Sequence, residues 1–178
     1  ILPYSNFKHF KKMKSTGLFL SLVAAFLLLA GVQGNAQGVN FSGTWTFNES
    51  KSPASEGGFR FAPSKLVVTQ SGNDLTVQRT SPGMDGEMTT TDKFTLDGKE
   101  CINTMFGDNK RKTVVKWSPD SKTLIFSHSM SFEMDGQSMQ FNSTENWKLN
   151  EADKTLSVET IMTTPNGEMK TTNVYDKK

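Results

Sequence analysis

The sequence predicts an all-β fold, a closed antiparallel up-and-down meander β-barrel of roughly 8–10 strands, following an N-terminal signal peptide. Three observations carry this. A hairpin recurs down the C-terminal half, where Trp117-Ser-Pro-Asp-Ser-Lys122-Thr-Leu124 is echoed by Trp147-Lys-Leu-Asn-Glu-Ala-Asp-Lys154-Thr-Leu156. Asp-Gly or Asn-Gly pairs stand at Asp85-Gly86, Asp97-Gly98, Asp135-Gly136 and Asn166-Gly167. Between alternating apolar residues such pairs mark tight hairpins, because both central residues must take φ > 0. After Gln37 no window sustains a helical apolar stripe for three turns. A long meander must close or cover its edges, and a closed barrel of this size can hold a small ligand.

Residues 1–12 read as an extension upstream of a start at Met13. Residues 13–36 combine a basic opening, an apolar run from Leu18 to Ala30 and small residues at Gly34 and Ala36. That is the pattern of a secretory signal peptide, so a secreted or periplasmic protein is expected. The apolar run is shorter than the ~20 residues of a spanning helix, which argues against a membrane anchor. The domain then covers 37–178, about 140 residues, a length that suits one unit. Much of the net charge of +2 lies in the leader, and no basic stripe interleaved with aromatics follows, so nucleic acid is not an expected partner. Cys101 is the only cysteine, so the domain must be held by its core without a disulfide. A monomer is expected.

Strands are predicted at 41–48, 65–70, 74–80, 87–96, 99–106, 111–117, 122–132, 137–149, 154–163 and 168–175. Turn chemistry fills the gaps, including Ser-Gly-Asn-Asp at 71–74 and Pro119-Asp-Ser121. The longest connection, 49–63, is expected to carry a short helical turn or to form a flap over one end. Two-residue turns fix registers. Centring on Asp135-Gly136 pairs Met130 with Phe141, His128 with Ser143, Phe126 with Glu145 and Leu124 with Trp147. Centring on Asn166-Gly167 pairs Met162 with Thr171, Thr160 with Asn173 and Val158 with Tyr175. Across the Asp97-Gly98 turn, Cys101 pairs with Phe94.

Layers then stack on one face. Trp117, Leu124, Trp147 and Leu156 form a bulky plug, followed by Val115, Phe126, Glu145, Val158 and Tyr175. The third layer is Thr113, His128, Ser143, Thr160 and Asn173, and the fourth Arg111, Met130, Phe141, Met162 and Thr171. An unpaired buried polar group costs about 1–3 kcal/mol, so a polar ring suits a cavity wall better than a dry core. The alternative is that these groups satisfy one another inside a filled barrel.

The chain also resembles a known family. Phe41-Ser-Gly43-Thr-Trp45 opens the first strand, and a Gly-x-Trp there resembles the calycin superfamily of lipocalins and fatty-acid-binding proteins. The strand count and Asn173-Val-Tyr175 resemble the ten-stranded fatty-acid-binding branch, and the leader resembles bacterial lipocalin-like domains. The resemblance implies an apolar ligand inside the barrel, Trp45 plugging one end and strand 1 closing on the last strand. The Arg-x-Tyr with which fatty-acid-binding proteins hold a carboxylate has Asn173 in place of Arg, and the two helices of that branch do not fit into 49–63.

Candidate cavity-lining residues follow. Arg79 lies at strand period with Leu75 and Val77, and Arg111 falls in the Met-Phe layer; each either anchors an acidic headgroup or snorkels at the rim. Met105, Met130, Met139, Met162 and Met169 are adaptable apolar wall, with Phe141. His128, Ser143, Thr160, Thr171, Asn173 and Tyr175 supply polar groups. His128 and Glu145 share a face and more often form a structural bond than an acid–base pair. His128 is the domain's only histidine, so no metal or other cofactor is expected, and Cys101 lacks the nearby base a nucleophile needs. The expected function is binding of a small apolar or amphipathic molecule rather than catalysis. The alternative is an interaction module with a filled interior, binding a protein or glycan through loops that bear Phe59 and Phe61.

Overall fold

A computed structural model describes residues 38–55, 60–105, 109–134, 137–164 and 167–178. These belong to the compact unit Gln37–Lys178. The extension at 1–12, the signal peptide at 13–36 and Phe59 lie outside the described residues.

Ten strands form one antiparallel sheet: β1 (Gly43–Phe47), β2 (Lys65–Ser71), β3 (Asp74–Gly83), β4 (Gly86–Thr95), β5 (Glu100–Thr104), β6 (Lys110–Trp117), β7 (Thr123–Met134), β8 (Gln137–Asn150), β9 (Thr155–Thr164) and β10 (Gly167–Lys177). They pair in the order β4-β3-β2-β1-β10-β9-β8-β7-β6-β5. β1 closes on β10, with Phe47 opposite Tyr175. The fold is thus the expected up-and-down barrel, nearly closed. Period-2 patterning explains the facing. On β7, Leu124, Phe126 and His128 are buried, whereas Ile125, Ser127 and Ser129 on the other face are more accessible.

The unpaired place is the seam between β4 and β5. The expected pairing of Phe94 with Cys101 does not form as a ladder. Asp97 instead accepts bonds from Thr95 Oγ1 (2.7 Å) and Lys99 N (3.2 Å), and Gly98 takes φ 76°. This fixes a turn from which the edges diverge. The Asn103 side chain bridges them: its Oδ1 accepts from Lys93 N at 2.9 Å and its Nδ2 donates to Lys93 O at 3.0 Å. One amide thereby supplies the donor and acceptor that a neighbouring backbone would have given. Cys101 is half-buried, and its Sγ accepts from Thr95 N at 3.2 Å.

Registers agree with the sequence reading through β8. Trp117 faces Leu124, which faces Trp147, and His128 faces Ser143. From β9 onward they are displaced by two residues. Trp147 faces Val158, Glu145 faces Thr160 and Ser143 faces Met162. Met162 then faces Met169, Thr160 faces Thr171 and Val158 faces Asn173. The causes are local. Asn150 pairs with Thr155, leaving a four-residue loop that ends on Lys154 at φ 50°. Thr164 pairs with Gly167, so the last hairpin is centred one residue earlier than Asn166-Gly167. A shift of two preserves the faces, so inward residues stay inward while the layers change partners.

Alternate connections lie at opposite ends of an up-and-down barrel. The end that holds the β2–β3, β4–β5, β6–β7 and β8–β9 turns is plugged. Phe41, Trp45 and Trp147 are buried there, and Trp45 Nε1 donates to Phe41 O at 3.0 Å. Phe41 stacks on Trp117 with centroids 6.0 Å apart. Trp117, the last residue of β6, is only half-buried, against the expectation. Its ring presses on Gly38, where a Cβ would come within 2.4 Å of it.

Candidate functional site

The open end, bearing the β1–β2, β3–β4, β5–β6, β7–β8 and β9–β10 connections, leads into an interior chamber of about 450 Å³. Arg79, Met105, Arg111, His128, Met130, Phe141, Ser143, Thr160, Met162, Met169, Thr171, Asn173 and Tyr175 all line it. Met139 does not. It pairs with Phe132 on the same face, but the β7–β8 hairpin has by then run past the chamber and Met139 is exposed. The walls also include Phe61, Pro63 and Leu66, unforeseen in the sequence, and Trp147 and Val158 from the two layers nearest the plug. A second depression, of about 480 Å³, lies against the outer face around Lys112, Ser127, Asn142, Thr144 and Thr163, where polar side chains meet solvent.

The 48–64 connection crosses the β10 side of the open end. Among the described residues it forms turns and no helix. Arg60 donates to Thr172 O (2.8 Å), to Asn173 Oδ1 (2.7 Å) and to Pro53 O. Asn173 Nδ2 in turn donates to Phe61 O at 3.3 Å. Val174 N donates to Ser52 Oγ at 2.9 Å. A loop guanidinium therefore engages the side chain at the position where the resembled family carries Arg. Phe61 is 72% exposed and still contributes to the chamber wall.

Between the chamber and the plug lies a charged floor. Arg79 bonds Asp92 Oδ2 through Nη1 at 2.7 Å and Glu145 Oε2 through Nη2 at 3.0 Å. Arg111 Nη2 reaches the same Asp92 oxygen at 2.6 Å. Trp147 Nε1 donates to Glu145 Oε2 at 2.9 Å, and the Arg79 guanidinium lies 5.8 Å from the Trp147 ring centroid. Neither Arg snorkels at the rim; their side chains are 12% and 14% exposed. Asp92 was missed in the sequence, although it shares inward parity with Phe94. Its pairing with Arg111 also ties β4 to β6 across the seam.

Two guanidiniums and two carboxylates neutralise one another, and their electrostatics follow from burial. Burial alone would push the Glu145 carboxyl up, but the Arg79 charge and the neighbouring His128 and Trp147 groups hold it well below the usual carboxylate range. Burial opposes the charge on Arg79, yet Glu145 and Asp92 raise its affinity for its proton. Tyr175 is pushed up, first by burial and then by Glu145, so it stays a neutral phenol. His128 Nδ1 lies 2.9 Å from Thr113 Oγ1, and its Nε2 lies 3.6 Å from Glu145 Oε1. That second distance is too long for a hydrogen bond, though short enough for electrostatic coupling. Among the described residues no three His, Cys, Asp or Glu side chains gather as metal ligands.

No family model matches the chain, and no curated protein matches its sequence. One solved structure is similar: the zebrafish ileal bile acid-binding protein complexed with cholic acid, at 19% identity over 78% of this chain and 98% of that one, with a TM-score of 0.50. The likeness shows the fold alone, an antiparallel up-and-down β-barrel.

Proposed function

We propose that this domain is a binding protein for a small apolar or amphipathic molecule held inside the barrel, and that it acts as an exported monomer without catalysing a reaction. The observation that carries the reading is the chamber of about 450 Å³, which is within the usual range for small-molecule pockets. Its walls are Met- and Phe-rich, and Arg79, Arg111 and Glu145 form a charged floor. Support comes from the similar zebrafish barrel, which was crystallised with cholic acid. A filled interaction module would need that space packed. A general base works best with a pKa near the working pH, whereas Arg79, His128 and Trp147 hold the Glu145 carboxyl well below the usual carboxylate range and leave it a weak base.

Met162 offers the direct test. It lines the chamber near the open end and is 42% exposed, so a larger side chain has room to sit there. Met162→Trp is expected to change stability by less than about 1 kcal/mol, because overpacking costs of ~1–3 kcal/mol arise in packed cores. The same change is expected to abolish uptake of a fluorescent fatty-acid or retinoid-like probe. Marked destabilisation, with no probe uptake by the unsubstituted protein, would favour the filled module.

Export rests on the leader pattern. Cleavage is expected between Ala36 and Gln37, with the small residues at 34 and 36 as the peptidase signal. N-terminal sequencing of the protein recovered from its host reads the site directly. A retained leader would overturn the exported assignment.

A further inference from the structure

Among the described residues six large apolar side chains stand exposed: Phe61, Met84, Ile102, Met139, Met162 and Met169. Three of them, Phe61, Met162 and Met169, also line the chamber. Scattered exposed apolar residues are ordinary, but these three gather on the wall of one cavity. Met162 and Met169 are 42% and 43% exposed. They are directly opposed in the β9–β10 ladder, so their side chains leave the same face of the sheet with Cβ atoms about 4.5–5.5 Å apart. Thr164 and Gly167 end that ladder two residues beyond them, which places the pair at the open end of the barrel. Position divides the other methionines. Met105 and Met130 line the chamber but are half-buried, whereas Met84 and Met139 are exposed and do not line it. Among the described methionines, only Met162 and Met169 are both open to solvent and part of the chamber wall.

We propose that Met162 and Met169 form a peroxide-responsive modification site at the chamber mouth: oxidation of the pair lowers the affinity for an apolar ligand, and a bound ligand shields the pair from oxidation. This rests on the container reading above and adds a control to it. In each step a lone pair of the methionine sulfur attacks one oxygen of hydrogen peroxide. An S–O bond forms as the O–O bond breaks, and the other oxygen leaves as water with both protons. The thioether is oxidised to a sulfoxide and the peroxide is reduced, one peroxide for each methionine. A flexible apolar side chain thereby becomes a polar one that accepts hydrogen bonds. An apolar ligand laid over it would strip its water and offer no partner in return, so the oxidised wall repels what the reduced wall attracts. The exposure of both residues matters for the fold as well. In the empty barrel the new oxygens can turn to water, so oxidation changes binding while the plugged end and the charged floor stay intact.

The test treats the protein with graded hydrogen peroxide, locates sulfoxides by peptide mass mapping and titrates a dansyl-labelled undecanoic acid by fluorescence. Met84, Met139, Met162 and Met169 are expected to gain oxygen before Met105 and Met130. Probe affinity is expected to fall about tenfold, equivalent to about 1.4 kcal/mol, as Met162 and Met169 are converted, with the circular dichroism spectrum unchanged. Methionine sulfoxide reductases, one for each epimer, should restore it. Saturating probe should slow oxidation of the pair severalfold and leave the rate at Met84 unchanged. Met84→Leu removes an exposed thioether away from the chamber and should leave the loss in place. Met162→Leu combined with Met169→Leu should shrink the peroxide effect to less than about twofold, measured against that variant's own untreated affinity. Unchanged affinity in the unsubstituted protein with both residues oxidised would overturn the inference and leave the container reading standing. A full loss in the double variant would do the same. If the double variant takes up no probe, the reductases decide: a loss that repair of the pair does not reverse counts against the proposal. No uptake by the untreated, unsubstituted protein would overturn both readings.

Discussion

Trp147→Ala is expected to destabilise the domain by about 3–5 kcal/mol, the range for truncating a large buried aromatic. Trp147 is fully buried. Its ring meets Phe126 at 4.9 Å and the edge of Phe41 at 6.0 Å, so it joins the plug to the barrel wall. Its Nε1 donates to Glu145 and its face supports Arg79, which extends its influence into the charged floor. Two losses therefore coincide: apolar packing at the closed end, and one of the bonds that hold Glu145 ionised. Trp147→Phe separates them. It keeps most of the bulk and removes only the N–H, so about 1–3 kcal/mol is expected for the unsatisfied carboxylate. Denaturant unfolding of both variants measures the split. A cost below about 1 kcal/mol for Trp147→Ala would mean that the ring is not the keystone of the plug.

How far the sequence revealed this arrangement depended on how local the determining interaction was. Strand parity is local, so the inward set on β6, β7 and β8 could be read from alternation alone. The β7–β8 register was legible because Met134 pairs with Gln137 around a two-residue tip. The β8–β9 and β9–β10 registers were not, because loop length and centring set them, and several placements satisfied the same turn residues. Parity survived the error, which is why the lining residues gathered in one chamber while their layer partners changed. Met139 shows the converse: parity gives the face and says nothing of where along the barrel the chamber ends. Two features had no local signature. Arg79 and Glu145 meet across the interior from strands that are not neighbours, and Asn103 imitates a strand ladder with one side chain. Asp92 was within reach, since a carboxylate at inward parity with Phe94 needs a cation, and Arg79 and Arg111 were the inward candidates.

Asp92 carries the second large effect. Its Oδ2 accepts from both Arg79 and Arg111, and its side chain is 4% exposed. Asp92→Ala would leave two guanidiniums in the interior with Glu145 as their remaining carboxylate. Removing one partner from a buried ion pair typically costs about 3–5 kcal/mol, because the desolvated charge left behind is uncompensated. The damage should also be directional. Asp92 on β4 holds Arg111 on β6 across the place where β4 and β5 do not pair, so its loss should open the seam before the rest of the barrel. Amide exchange is expected to accelerate first at Lys93 and Thr95, whose N–H groups bond Asn103 Oδ1 and Cys101 Sγ across the gap. β7 and β8, paired along their whole length, should keep their protection until global unfolding. A second variant tests the electrostatic cause: Asp92→Ala combined with Arg111→Met removes an unpaired cation together with its partner, and should recover part of the stability lost by Asp92→Ala alone. If the double variant is no more stable than the single one, the cost lies in packing around Asp92. If exchange quickens uniformly over all ten strands, the ion pair does not latch the seam.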